Sequence, residues 1–341
     1  MKRLRHAALA LALGAIAASA AAAQDPRDPR CVDPTLAVVG PLGTGGDACQ
    51  KAVDLFNYLT PQLGSVIAGG NPTLGQAGTL GGPGRFSILV RVTALRGDLP
   101  NADATGTSAG PALTPSTYGT TERAMPLPAV DAAVGLFPGI PLGITTVLGV
   151  DALGSAYYLP EYDDDEAIDI HTPDGSFDFG YGARIGIVGE TAVLPGLSVT
   201  WMRRNLPSVS AVGRPTDIDE IALGDFENRT TSWRLIAGKR FGLLGLSAGY
   251  GRDRYESSAR LTWHVQQGTL QESQGSFAFD GGKVDATNVF ANALLNLAVF
   301  QLAAEVGRVT VDRGAGDFFN QFEDEPDAAR LYASLGFRLG R

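Results

Sequence analysis

The sequence predicts an all-β fold: a transmembrane antiparallel β-barrel of about 10–14 strands, with a small helical N-terminal plug segment. Three observations predict it. The chain opens on an export leader. From Arg85 onward, apolar and polar residues alternate in runs of about ten. The links between those runs are short and long in turn. The expected division is a signal peptide over 1–23, a disulfide-clipped helical and glycine-rich plug segment over 24–84, and the barrel over 85–341.

The leader reads MKRLRHAALALALGAIAASAAAAQ. Lys2, Arg3 and Arg5 form a basic start, an Ala/Leu-rich stretch follows, and Ala21-Ala22-Ala23 supplies the small residues of a cleavage site before Gln24. Cys31 follows Asp-Pro-Arg, which is not a lipoprotein signal. The whole chain carries a formal charge of −9, and loss of three basic leader residues makes the mature protein more acidic still. That argues against nucleic acid as a partner, since binding it needs basic surface to displace counterions. No later apolar run reaches the roughly 20 residues of a spanning helix. Entry into a membrane is therefore expected as a closed barrel.

In the 24–84 segment, Cys31 and Cys49 are expected to form a disulfide in an oxidising compartment. Closing such a loop is worth about 3 kcal/mol in the chain-entropy view. Asp47 is expected to cap a helix that presents Ala52, Val53, Phe56 and Leu59 at helical spacing, and Pro61 to end or kink it. A glycine-rich stretch, GGNPTLGQAGTLGGPGRF, leads into the first strand.

The strands follow. Segment 85–95 sets Phe86, Ile88, Val90, Val92 and Ala94 against Ser87, Arg91 and Thr93. Segment 177–188 sets Phe177, Phe179, Tyr181, Ala183, Ile185 and Ile187 against Asp178, Arg184 and glycines. Segment 287–297 sets Val289, Ala291, Ala293, Leu295 and Leu297 against Asn288, Asn292 and Asn296. The last, from Arg330, sets Leu331, Ala333, Leu335, Phe337 and Leu339 against Arg330, Tyr332, Ser334, Gly336 and Arg338. Such runs suit tilted strands crossing a bilayer, with apolar faces to lipid and polar faces to a lumen. Short links over 138–143, 189–196, 242–245 and near 298–300 alternate with long polar links over 97–127, 159–176, 206–230, 255–285 and 312–328. The link over 255–285 could hide another pair of strands around Leu261–Val265 and Phe277–Phe279. An even strand number, with short turns in the periplasm, implies a bacterial outer-membrane location with both mature termini periplasmic. Tyr157, Tyr158, Phe177, Phe179, Trp201, Trp233 and Tyr250 are candidates for interfacial girdles.

Taken together, Asn71-Pro72, the glycine-rich run to Arg85 and the barrel that follows resemble the long-chain fatty-acid outer-membrane transporter (FadL) family. The resemblance implies a hatch inside the barrel and passage of a hydrophobic small molecule. Thr73 stands where that family's Asn-Pro-Ala hatch motif has alanine, and no ligand-binding residue carries across. The chain is equally similar to uncharacterised outer-membrane barrels, which implies a fold and location alone. LYASLGFRLGR resembles a C-terminal insertion strand, implying the barrel insertion machinery as a partner, although Phe337 is followed by four more residues.

The candidate ligand site is the basic lumen: Arg91, Arg184, Arg234, Arg240 and Arg338, with Asp178 and Glu305 of opposite sign. It could attract anions, fatty carboxylates included. Internal pairing of these charges has equal weight. Asp163, Asp164, Asp165 and Glu166 could bind Ca²⁺ and bridge to lipopolysaccharide, though their spacing is not that of an EF-hand and a solvated loop explains them better. No other cofactor is expected. Gly106–Gly110 matches G-x-S-x-G around Ser108, but it lies in a Thr/Ala/Gly/Pro loop rather than on a strand-to-helix turn, and is read as chance. The expected function is passive passage of small hydrophobic or amphipathic molecules across the outer membrane, without enzymatic activity. A surface-exposed or structural barrel without transport is the alternative, and a lipid hydrolase using Ser108 a third reading.

Overall fold

The computed structural model describes residues 25–33, 44–101, 106–159, 161, 169–214, 219–267, 271–297, 300–312, 318–325 and 328–340. Residues 1–24, with the expected leader, lie outside them, and so do Asp163, Asp164, Asp165 and Glu166.

Ten antiparallel strands close into a ring. They are β1 (Phe86–Pro100), β2 (Thr120–Phe137), β3 (Gly149–Tyr158), β4 (Phe177–Val188), β5 (Gly196–Asn205), β6 (Glu220–Phe241), β7 (Leu244–Gln267), β8 (Gln271–Leu297), β9 (Phe300–Val311) and β10 (Arg330–Gly340). Each pairs with its neighbour in sequence, and β1 closes on β10 from Ser87↔Gly340 to Leu95↔Tyr332. Closure leaves the ring no free edge, which is what lets a sheet sit in hydrocarbon.

The links 138–148, 189–195 and 242–243 lie at one end, with the end of β8 and the start of β9, the start of β1 and the end of β10; we call it the turn end. The two-residue turn between β6 and β7 is led by Gly242 at φ 61°. The other, loop end is uneven. There β6, β7 and β8 run on well past their neighbours, and 255–285 is no loop: Leu261 pairs with Phe277 within one hairpin closed at Gln267↔Gln271. The two expected strand pieces extend β7 and β8 and add nothing to the ring. Segments Val209–Gly213 and Asp169–His171 widen this outgrowth by pairing beside β6.

All four segments read as two-faced strands place their faces as expected. Ile88, Val90, Phe177, Phe179, Val289, Leu335 and Leu339 face outward and are exposed, while Arg91, Arg184, Asn288, Asn292, Ser334 and Arg338 face inward and are buried. Nearer the loop end the chemistry of the two faces exchanges. On β7, Ser247 and Asp253 point inward in the turn half and Tyr255, Leu261, Trp263 and Val265 in the loop half. Outside, Leu246 and Tyr250 give way to Arg252, Arg254 and Arg260. The same exchange occurs on β1, from Arg91 and Thr93 to Leu95 inside, and from Val92 to Arg96 outside. An apolar outer surface needs lipid and a charged one needs water. The exchange therefore marks where a bilayer ends. Trp201, Trp233 and Tyr250 stand near it on the outside, with Trp233 and Tyr250 rings 5.8 Å apart. Tyr157 does not join them: it is buried and points into the lumen, because it is one residue out of phase with Tyr158.

Inside lies the N-terminal segment. Helix α1 (Pro29–Val32) is a single turn at the loop end, and α2 (Gly46–Ala68) runs down the lumen. All but Asn57 and Leu63 of the 23 residues of α2 are buried. Its cap is Gly45 at φ 88°, not Asp47: the Asp47 carboxylate instead accepts the Ser108 N–H at 2.6 Å and pairs with Lys51 at 3.1 Å. Pro61 lies within the helix and does not end it. Packing against the wall all round holds the helix together across the missing N–H.

Candidate functional site

The candidate site is the lumen and the segment threaded through it. Landmarks along the thread fix its path. Arg27 donates to the Ala112 carbonyl at 2.9 Å, and Arg30 lies over the Phe279 ring at 4.4 Å, both at the loop end. Cys31 and Cys49 are joined, tying α1 to the top of α2. Gly64 abuts the Tyr255 ring near mid-height, Gly70 meets Arg91, Thr93 and Ser334, and Gly82 reaches Pro138 at the turn end. The chain thus passes through the barrel from one end to the other before β1 begins. Residues 25–27 and Gly340 lie at opposite ends of the barrel.

The loop half is closed by apolar packing. Phe56 sits with its ring centroid 5.6 Å from Phe226 and 4.9 Å from Phe279. Tyr58 stacks on Phe322 at 4.1 Å, and Phe322 on Tyr118 at 5.2 Å. That column joins α2 to the loops between β1 and β2 and between β9 and β10. One turn nearer the loop end, buried Asp54 accepts from the backbone and side-chain amides of Asn320, at 2.9 and 2.8 Å, and from Gln50 at 3.0 Å. Burial raises the Asp54 carboxyl to about 6.

The turn half is different. Residues 69–84 have neither helix nor strand, so their backbone groups need partners from elsewhere. A few bonds are local, as from the Leu74 N–H to the Asn71 carbonyl at 3.0 Å and the Gln76 N–H to the Thr73 carbonyl at 2.8 Å, and charged side chains of the wall provide others. Arg204 donates to the carbonyls of Ile67 (3.1 Å), Ala68 (3.0 Å) and Gly70 (3.4 Å). Arg91 reaches the Gly69 carbonyl at 3.4 Å, Arg234 that of Ala68, and Arg338 that of Leu74. Carboxylates take the N–H groups: Glu305 accepts from Asn71 at 3.1 Å and Asp151 from Leu80 at 3.1 Å. Asn71 folds the thread locally, its Oδ1 accepting from the Thr73 N–H at 3.1 Å and hydroxyl at 3.0 Å. The wall thus reads the thread by its backbone. Below it a vestibule of about 230 Å³ opens at the turn end, lined by Gly75–Thr79, Ser247, Asn296 and Gln301 among others.

The expected lumen residues divide accordingly. Arg91, Arg184, Arg234 and Arg338 are buried in the lumen. Arg91 pairs with Asp131 at 2.6 Å, Arg184 with Asp151 at 2.7 Å, and Arg234 with Asp253 at 3.9 Å. Arg240 does not belong to this group: it lies exposed at the turn end, where it pairs with Glu190 at 3.1 Å. Glu305 is buried on the wall, whereas Asp178 lies at the loop-side start of β4 and accepts the Phe179 N–H. Sequence reading missed Arg204, Asp131, Asp151 and Asp253. Parity was the available signal, since Arg204 follows Ser198, Thr200 and Met202 on one face of β5. Ser108 serves the turn that receives α2: its Oγ accepts the Gly110 N–H at 3.0 Å. His264 pairs with Glu272 at 2.9 Å on the outgrowth.

No family model matches the chain, and no curated protein does. Among solved structures it is similar to the translocator domain of the autotransporter NalP from Neisseria meningitidis, at 9% identity and a TM-score of 0.40, over 85% of this chain and 97% of that one. It is similar to the β domain of the Bordetella autotransporter BrkA at 11% identity and a TM-score of 0.37, over 75% and 100%. The outer-membrane protease OmpT from Escherichia coli gives 10% identity and 0.37, over 76% and 97%. At such identities no residue role passes from these proteins to this chain.

Proposed function

We propose that the chain is a bacterial outer-membrane barrel that passes small solutes passively when its thread yields, with the loop end facing outward. The leader and the apolar belt support the location. The observation that carries passage is the polarity of the turn half. A barrel built only as a scaffold gains most from an apolar filling, because desolvating each buried ion costs several kcal/mol. Here five arginines and four carboxylates line a lumen occupied by an irregular, glycine-rich thread held through its backbone. Hydrogen bonds between charged side chains and backbone groups exchange for water at a net cost of about 1.5–3 kcal/mol each, and the thread has no buried ladder of its own to lose. Such a wall suits the polar end of an amphipathic solute. No catalytic role is proposed for Ser108, and no cofactor.

The apolar closure around Phe56 favours a second reading, a sealed scaffold that presents its loops and outgrowth. Conductance in planar bilayers separates the two. The full mature chain should be closed most of the time, and Phe56→Asp, which puts a carboxylate among aromatic rings, should open it often. Silence from both, in protein shown to be a folded barrel by heat-modifiable gel mobility, would establish the scaffold.

A further inference from the structure

The arginines that grip the thread also have a use once it moves. Arg204 and Arg338 have no carboxylate within 4.0 Å among the described residues; their partners are the thread carbonyls, and for Arg338 also Gln301 at 3.4 Å. Arg91 and Arg234 hold carboxylates on one side and thread carbonyls on the other. All four are at most 2% exposed. Each also keeps guanidinium nitrogens that meet no acceptor: Nη2 of Arg91, Nε of Arg204 and Arg338, Nε and Nη1 of Arg234. Donors are left over in this ring, while on the wall Asp253 Oδ1 and Oδ2 and Glu305 Oε2 also meet no donor.

We propose that Arg91, Arg204, Arg234 and Arg338 form an oxyanion-binding constriction, for which the carbonyls of residues 67–74 are neutral stand-ins. The proposal rests on the passage reading and names its solute class: small molecules bearing a carboxylate. A carboxylate oxygen accepts the same guanidinium N–H bonds as a carbonyl, and it adds opposite charge and a geometry the planar guanidinium fork can meet with two parallel bonds. Withdrawal of the thread leaves five arginines against the four carboxylates Asp131, Asp151, Asp253 and Glu305. A narrow wall of low dielectric focuses that excess into the path.

The test is ion selectivity in the full-length chain carrying Phe56→Asp as the opener. Reversal potentials across a potassium acetate gradient should show acetate favoured over potassium by a factor on the order of three. Adding Arg204→Gln and Arg338→Gln should bring that ratio to about one or below, while gel mobility shows the barrel intact. Currents with no anion preference, or a preference unmoved by the two glutamines, would overturn the oxyanion site and leave passage standing. Absence of current in the opened variant would overturn passage and this site with it.

Discussion

At the scale of single residues, two positions in the threaded segment are decided by physics that sequence pattern alone does not display. Gly70 has φ 72°, and a Cβ there would stand 2.3 Å from Arg91 Nη1 and 2.5 Å from Thr93 Oγ1. Left-handed backbone costs a residue with a Cβ about 1–2 kcal/mol, and the contact adds to it. Gly70→Ala should therefore loosen the thread without unfolding the ring, raising the open fraction in bilayers while heat-modifiable mobility stays as in the parent. Asp54 is the second position. Its carboxyl, near 3.8 in an unfolded chain and about 6 here, stays protonated longer in the folded state. The unfolded chain binds fewer protons between these values, so the docking of α2 against Asn320 weakens as pH rises from about 4 through about 6. The protection factors of the amides of residues 318–325, which remove the intrinsic pH dependence of exchange, should be higher at pH 5 than at pH 7.5. Asp54→Asn should flatten that dependence, and an unchanged slope would assign it to another group.

At the scale of elements, the strands were legible and their ends were not. Alternation from Phe86, Phe177, Val289 and Leu331 gave the right faces because each segment lies within the apolar belt, where inside and outside differ most in chemistry. Segment 255–285 reads as a polar link because its outward residues include Glu256, Arg260 and Lys283. Inward positions of β7 keep odd numbers from Ser247 through Val265, so the strand never breaks phase; only the chemistry of the faces changes at the membrane boundary. Helix α2 was legible from its apolar spacing, but its passage through Pro61 was not, since tertiary burial overrides a local breaker. That burial can be measured. Phe56→Ala should cost about 3–5 kcal/mol of α2 docking, while Cys31→Ser should cost about 3 kcal/mol. Both should appear as faster proteolysis within residues 44–68, with the ten-strand ring intact by far-UV circular dichroism.

At the scale of the whole molecule, the consequence of the thread is its direction. A segment that capped the lumen from the turn end would leave both ends of the mature chain on one side, as an even strand count suggests. Here Arg27 meets Ala112 and Phe319 among the loops, while Ser87 pairs with Gly340 at the turns. The site was half legible for the same reason: Arg91, Arg184, Arg234 and Arg338 could be assigned to a lumen by parity, but their partners could not, because backbone carbonyls of residues 67–74 leave no mark in side-chain chemistry. Orientation is testable on intact cells. An epitope inserted between Ala23 and Gln24 should be reached by antibody without permeabilising the outer membrane, whereas one added after Arg341 should need permeabilisation. The opposite labelling would turn the loop end toward the periplasm. Labelling of neither before permeabilisation, with a loop epitope between Arg260 and Gln274 exposed, would show that the segment does not complete the passage from turn end to loop end in the cell.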